Sequence, residues 1–357
     1  MANRAIWIGK DHQLSLREIT EVYEPLADEV LVEVEYSGIN PADIVHSPFG
    51  FNDYPAGYDF AGKVVKSGAN RQEVFKPGDR VLGFGAPEQN KAPQYGAHQR
   101  FHCARHFIHH VPPSMPMADA ACLMVVTHTA SDALFNQLEV PLPRDNQGIC
   151  SGSEENRFPI LIWGGASAVG SAAVQLAKMA GCYPILTTAS KKNHDALRAL
   201  GATECFDYHD EDIVDQIQRV LQHHNAKPLN HVLDAVVSHK KPSSTSICEQ
   251  LAGGGARLTA PVPVAGDATR TWKQTFACRN VVVTFELPSG EIIRKEPVPE
   301  WQHNIDWATR WAIEHYGSGY RMSNVTVVKG GHEGMKAMVV SAEGGASMQK
   351  FVIQHPI

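Results

Sequence analysis

The spacing of hydrophobic and polar positions changes partway along the chain. Glu29 to Tyr36 (EVLVEVEY) alternates and puts Val30, Val32 and Val34 on one face, the period-two pattern of a half-buried strand. Gly57 to Gly68 predicts a second strand bounded by glycines, and Lys76-Pro77-Gly78-Asp79 a turn into Arg80-Val81-Leu82-Gly83-Phe84. Short strands punctuated by Gly and Pro predict a compact barrel or rolled sheet. After about residue 115 the spacing becomes helical, with Met117 to Leu138 as a first helix. The polar stretch Pro141 to Arg157 is expected to be an exposed connection. Apolar runs then alternate with helical ones: strand from Phe158, helix Ala168 to Met179, strand Tyr183 to Thr188, helix Asp195 to Leu200, and a short strand holding Phe206 and Tyr208. Helix Asp212 to His224, strand His231 to Val237, helix Ile247 to Leu251 and strand Ala256 to Thr259 follow, with Val281 to Phe285 closing the series. This rhythm predicts a mostly parallel sheet covered by helices. Beyond it come a helix at Ile305 to His315, a strand at Val325 to Val328, a helix starting at Gly334 and a last strand at Lys350 to Gln354.

The sharpest local feature is Pro159 to Gly170, PILIWGGASAVG. It has the strand, tight glycine turn and helix start of a dinucleotide site, in that order. Gly165 and Gly170 let the backbone approach a pyrophosphate, and the helix start supplies N–H groups and a favourable dipole. Gly165 and Gly170 are the useful pair, although the spacing departs from GxGxxG. A site for the unphosphorylated cofactor usually carries an acid at the tip of the second strand. Here that tip reads Thr187-Thr188-Ala189-Ser190-Lys191-Lys192-Asn193, with a hydroxyl, two cations and no acid. Ser190 and a lysine of the Lys191-Lys192 pair are expected to bind a 2′-phosphate, which predicts NADPH as cofactor. Tyr208 is expected near the adenosine end or, alternatively, buried in the sheet.

Composition narrows the classes. The chain has 357 residues, room for about two domains. Hydrophobic residues at 43% and charged residues at 20% fit a packed globular protein. Thirty-two Lys and Arg against 38 Asp and Glu give a net charge of -6 without a basic block, which argues against nucleic-acid binding. No apolar run reaches membrane-span length, and the first 15 residues resemble no targeting peptide, so a cytoplasmic location away from membranes is expected. Seven scattered cysteines without a CxxC pair fit reduced thiols.

With these pieces in place the sequence resembles the medium-chain dehydrogenase/reductase superfamily. The resemblance rests on Gly38-Ile39-Asn40-Pro41-Ala42-Asp43, on Gly57-Tyr58-Asp59-Phe60-Ala61-Gly62, on Phe75 to Val81 and on the cofactor turn. It implies an α/β protein with a GroES-like β-barrel catalytic domain and a Rossmann parallel-sheet cofactor domain. The expected divisions are 1–122 for the barrel, 123–285 for the Rossmann domain and 286–357 as a return to the barrel. Asn40-Pro41-Ala42-Asp43, the TTASKKN segment, Phe206-Asp207-Tyr208 and Val327 to Gly331 look most like zinc-free fungal enoyl reductases that act in trans with polyketide synthases. That likeness implies NADPH-dependent reduction of the α,β double bond of an enoyl thioester, a small-molecule or carrier-bound substrate, a polyketide synthase as partner, and a monomer. It also implies that Ala166, Ser167, Ala168 and Val169, with Ser190, Lys191, Lys192 and Asn193, touch the cofactor phosphates, and that Tyr208 lines the adenosine region. A free enone or quinone reductase, or a non-redox cyclase or substrate-holding protein, stays open on the same scaffold.

Zinc alcohol dehydrogenases place a cysteine and a histidine where this chain has Asn40 and Tyr58, and amide and phenol are poor zinc ligands. The cluster His98, His102, Cys103, His106, His109 and His110 falls in a predicted strand and turn, so no metal is expected there either. A zinc-free reductase must stabilise the developing oxyanion by hydrogen bonds. Asn40 is expected to orient nicotinamide or substrate, Tyr58 to donate to the oxyanion, and Thr127, placed ahead of a helix, to contact the nicotinamide or carbonyl. The related reductases often carry a lysine two positions after the aspartate of their N-P-x-D motif. This chain has Val45 there, followed by His46.

Overall fold

A computed structural model describes residues 3–143, 158–264, 268–287 and 289–357. Most of the connection expected at Pro141 to Arg157, with Cys150, lies outside them. The chain divides into two compact units. The first comprises Met1–Val125, Asn280–Pro297 and Met322–Ile357, and the second Val126–Arg279 and Val298–Arg321.

In the first unit the alternating segment becomes the strand Val30–Gly38. It pairs antiparallel with Asp59–Ser67 on one side and with Phe101–Ala104 and the returning strand Gln349–Gln354 at its other edge. Asp59–Ser67 continues antiparallel to Arg80–Phe84, and that strand to Ile108–His110. Asn324–Lys329 extends the sheet by pairing parallel with Gln349–Gln354. Val30, Val32 and Val34 point inward as the alternation requires and pack with Phe60, Val64, Phe75, Val81 and Ile108. A smaller sheet joins Asn3–Ile8 to Leu14–Ile19 and to Tyr54–Pro55.

In the second unit six parallel strands lie in the order Glu204–Phe206, Ile185–Thr188, Ile160–Trp163, His231–Asp234, Arg257–Ala260 and Lys273–Gln274. The first strand in sequence is central and the order reverses beside it, the switch point at which sheets of this kind bind ligands. Leu161, Leu186, Val232 and Leu258 bury against Ile213 and Ile217 of the helix Ile213–His223 and Leu251 of Ser244–Leu251. The segment expected to close this sheet does not belong to it. Val283–Glu286 pairs antiparallel with Ile292–Lys295 as a separate ribbon in the first unit, where Phe285 packs edge-on against Phe51. The sixth strand is instead the two-residue Lys273–Gln274, too short to show a period. The helix Pro299–Glu314 also belongs to the second unit, whereas the expected division gave all of 286–357 to the barrel.

Candidate functional site

The glycine turn forms as the sequence suggests. The strand Ile160–Trp163 ends at Gly164, whose φ of +80° lies in the left-handed region. The helix Ala168–Met179 then begins behind Ser167, whose Oγ accepts from the Gly170 N–H at 3.0 Å. The Ser167 N–H is taken by the Gly164 carbonyl. Of the four N–H groups a helix start leaves without intrahelical partners, those of Ala168 and Val169 remain at the open end. Gly165 and Gly170 are also required by the packing of the turn itself. A Cβ on Gly165 would meet Thr187 Oγ1 at 2.1 Å, and one on Gly170 the Gly164 carbonyl oxygen at 2.3 Å. These glycines seat the helix on the sheet, and the backbone conformation itself is set by Gly164, which the motif reading passed over. Ala166 is buried at the turn.

At the second strand tip, Ser190 Oγ lies 3.1 Å from Tyr208 Oη. Tyr208 stands beyond the strand Glu204–Phe206 and is 44% exposed, so it is neither in that strand nor buried in the sheet. Lys191 and Lys192 are exposed in a short helical turn, and Asn193 is buried behind them. The third strand brings an acid that the motif reading of the second did not anticipate. Asp207 Oδ2 accepts from the Lys191 N–H at 3.2 Å, and Oδ1 lies 2.7 Å from His209 Nδ1. Burial opposes its charge, but the N–H and ring donors of His209 and the Lys191 N–H outweigh that and hold its carboxyl below the usual range. This acid is occupied by His209 of its own loop and by the Lys191 backbone of the neighbouring one.

In the first unit Asn40 and Tyr58 belong to neighbouring but separate bonding networks. Asn40 is buried, with both ends of its amide engaged: Nδ2 donates to Asp59 Oδ2 at 2.9 Å, and Oδ1 accepts from Lys350 Nζ at 2.5 Å. Its own N–H donates to Asp43 Oδ2 at 2.7 Å. Asp59 also accepts from the Val125 N–H at 2.9 Å. Burial pushes its carboxyl up to about 6, against the opposing pull of Lys350, Asn40 and that N–H. Asn40 therefore braces a buried lysine–amide–carboxylate chain.

Tyr58 looks the other way. Its Oη lies 3.0 Å from Nδ1 of His46, the residue next to Val45. Val45 is 40% exposed, whereas His46 turns inward and rests on Phe51. Burial, helped by the Lys91 charge, holds His46 down to about 4 despite the pull of Asp43. His46 is thus neutral at neutral pH. In the tautomer with hydrogen on Nδ1 it donates to the phenol oxygen, and the neighbouring Tyr54 phenol also interacts with the Tyr58 hydroxyl.

Thr127 is not ahead of a helix. It lies within Met117–Ser131, in the second unit, fully buried. Its Oγ1 lies 2.7 Å from Tyr320 Oη and its carbonyl accepts from Ser131 Oγ at 2.6 Å. Burial raises the Tyr320 phenol well above its ordinary range, so this pair is a hydrogen bond between two neutral hydroxyls.

The clustered histidines have separate duties. His98 bridges Asp43 Oδ2 at 3.2 Å and Ser37 Oγ at 2.8 Å, and Ser37 Oγ also lies 2.8 Å from His355 Nε2. His102 Nδ1 lies 3.1 Å from the Gly96 carbonyl, and burial holds it down to about 3. Among the described residues no three His, Cys, Asp or Glu side chains converge as a metal-holding group. All six described cysteines are buried. No helix of the described residues is long and apolar enough to cross a membrane.

A barrel built from both ends of the chain, joined to a parallel sheet with a glycine turn at its central strand, defines a nucleotide-binding oxidoreductase of the medium-chain type. The alcohol dehydrogenase GroES-like domain family matches residues 26–112, and the zinc-binding dehydrogenase family residues 168–263. The trans-enoyl reductase himH of Aspergillus japonicus is 30% identical over 362 residues, covering 99% of this chain and 98% of the relative. The trans-enoyl reductase tazE of Aspergillus terreus is 31% identical over 286 residues, 76% of this chain and 88% of the relative. Among solved structures, the CurK enoyl reductase superposes with a TM-score of 0.71 at 16% identity, over 100% of both chains. The quinone oxidoreductase of Coxiella burnetii does so at 0.67 and 22%, over 99% of both. The chain belongs to the trans-enoyl reductases of the medium-chain dehydrogenase/reductase superfamily. It is an oxidoreductase, and its Rossmann-type unit implies a nicotinamide cofactor.

Proposed function

We propose that the protein reduces the α,β double bond of an enoyl thioester with NADPH, without zinc, on a carrier-bound intermediate of a polyketide synthase. The observation that carries this reading is Tyr58. A buried phenol, held by a neutral imidazole, stands where zinc dehydrogenases of this superfamily place a metal ligand. When bound, the reduced nicotinamide supplies hydride to the β-carbon of the substrate. Negative charge then moves to the thioester carbonyl oxygen, where the Tyr58 O–H donates a hydrogen bond that strengthens as the charge develops. A proton from water or a nearby side chain completes the reduction at the α-carbon. Asn40 acts at one remove by fixing Asp43 and Asp59 around the strand that begins one residue after Tyr58. In the cofactor unit, the Ala168 and Val169 N–H groups would hold the pyrophosphate, and Ser190 with Lys192 would hold the 2′-phosphate.

The test follows nicotinamide oxidation by purified protein with acyl-carrier enoyl thioesters, free enones and quinones. Turnover of the thioesters alone supports the reading, and turnover confined to quinones or free enones overturns it. Tyr58→Phe is expected to lower kcat about 100-fold with little change in KM. Unchanged turnover removes Tyr58 from the oxyanion role. A Ser190→Ala, Lys192→Ala double variant should weaken NADPH about 10- to 100-fold in an equilibrium titration and leave NADH within about twofold. Equal weakening of both cofactors would count against a phosphate site here.

A further inference from the structure

Two lysines are buried in the first unit, each 4% exposed, and their surroundings differ sharply. Lys350 has Asn40 as its partner, with Asp59 one bond beyond. Lys91 has no hydrogen-bond partner for Nζ among the described residues. It lies instead over two aromatic faces, 4.5 Å from the ring centre of Tyr54 and 4.9 Å from that of Tyr58. Neither carboxylate that senses its charge bonds it: Glu88 pairs with Arg105, and Asp43 receives the Asn40 N–H and His98 on Oδ2, while Asp43 Oδ1 has no hydrogen-bond partner among the described residues. Two neutral imidazoles, His46 and His102, complete the charge environment. An ammonium taken from water without a carboxylate of its own is expensive to hold. Two ring faces return only part of that hydration.

Resting on the oxyanion role of Tyr58, we infer that Lys91 is a positioning residue whose charge makes the Tyr58 phenol a stronger hydrogen-bond donor to the substrate carbonyl. A cation beside a phenol favours its anionic form, so the O–H gives up more of its proton as charge builds on the acceptor. The neighbouring His46 is neutral and supplies a hydrogen bond without competing charge. Burial holds the Lys91 ammonium down to about 8, with Arg105 pushing the same way and Glu88 and Asp43 opposing. The stabilisation is therefore present below about pH 8 and lost as the pH rises through it.

The test is a double-mutant cycle on the full chain. Lys91→Met should lower kcat about 10-fold or more, leave KM within about twofold, and abolish the fall in kcat through pH 8. Lys91→Arg should restore most of the plateau and carry it to higher pH. In a Tyr58→Phe background, Lys91→Met should have no further effect. Unchanged kcat in Lys91→Met, or an equal loss in both backgrounds, overturns the inference. Thermal melts of each variant distinguish lost folding from lost chemistry. Because a buried unpaired cation is removed, Lys91→Met should melt higher than the parent at pH 7, and a lower melt that Lys91→Arg rescues would mark a structural role and overturn the inference. Should Tyr58→Phe retain full turnover, the oxyanion role fails by itself. The ¹⁹F titration of 3-fluorotyrosine at position 58, with and without Lys91, then still reports whether the charge acidifies the phenol; an unmoved midpoint overturns that part.

Discussion

Urea unfolding of a Lys350→Met variant is expected to show a loss of about 3–5 kcal/mol at neutral pH, the range seen when one partner of a buried ionic network is removed. Lys350 Nζ holds Asn40 Oδ1, and Asn40 Nδ2 holds Asp59 Oδ2. Without the lysine, Asp59 keeps only the amide and the Val125 N–H, and its burial is no longer offset by a cation. Its carboxyl already stands at about 6 in the folded chain against an ordinary 3.8. A raised carboxyl favours folding most where it is protonated, so its contribution declines as pH rises from about 4 through 6. Because loss of the lysine raises this carboxyl further, the deficit of Lys350→Met should shrink as pH falls toward about 6 and be smallest below it. A loss under about 1 kcal/mol, flat across this window, would show that the chain behaves as a surface ion pair.

The second large effect concerns the nucleotide turn. Gly170→Ala should weaken nicotinamide binding by at least about 100-fold, because displacement of such a turn by tenths of an ångström misaims its N–H groups. The added Cβ would lie 2.3 Å from the Gly164 oxygen and 2.9 Å from the Gly165 Cα. Both are backbone atoms, with no flexible side chain to give way. Gly254→Ala is the matched control, since a Cβ there meets nothing within 4 Å. Fluorescence titration of both variants checks the difference, and equal affinity would mean the turn adjusts without penalty.

Elements governed by short-range patterning were legible in the sequence. The period-two run through Val30, Val32 and Val34 and the helix Ala168–Met179 correspond closely to what forms, because each depends on neighbours two to four positions away. The two-residue strand Lys273–Gln274 and the placement of Val283–Glu286 were not legible, since both depend on long-range partners. The same divide runs through the candidate site. Asn40, Tyr58 and Ser190 stand out by residue type and motif. Lys91 and Lys350 do not, because an isolated lysine in sequence carries no sign of burial. The meeting of Lys350 with Asn40 across 310 positions is a product of strand pairing alone. Asp207 was hidden in the same way: its carboxylate reaches Lys191 from the next strand. Val45 and His46 show the reverse, adjacent residues whose roles are separated by one helical step, one outward and one against Tyr58.

The pairing of Gln349–Gln354 with Val30–Gly38 also sets an order of assembly. A ribosome makes the two partners of this ladder more than 300 residues apart, and every segment of the parallel-sheet unit is made between them. Until the late strand arrives, Tyr36, Ser37 and Gly38 present an open edge, and Asn40 and Asp59 wait without their cation. The nascent barrel is thus held unfinished while the nucleotide-binding unit can already close. That interval exposes it to the edge-to-edge association that unpaired strands invite, and the pairing of Gln349–Gln354 ends it.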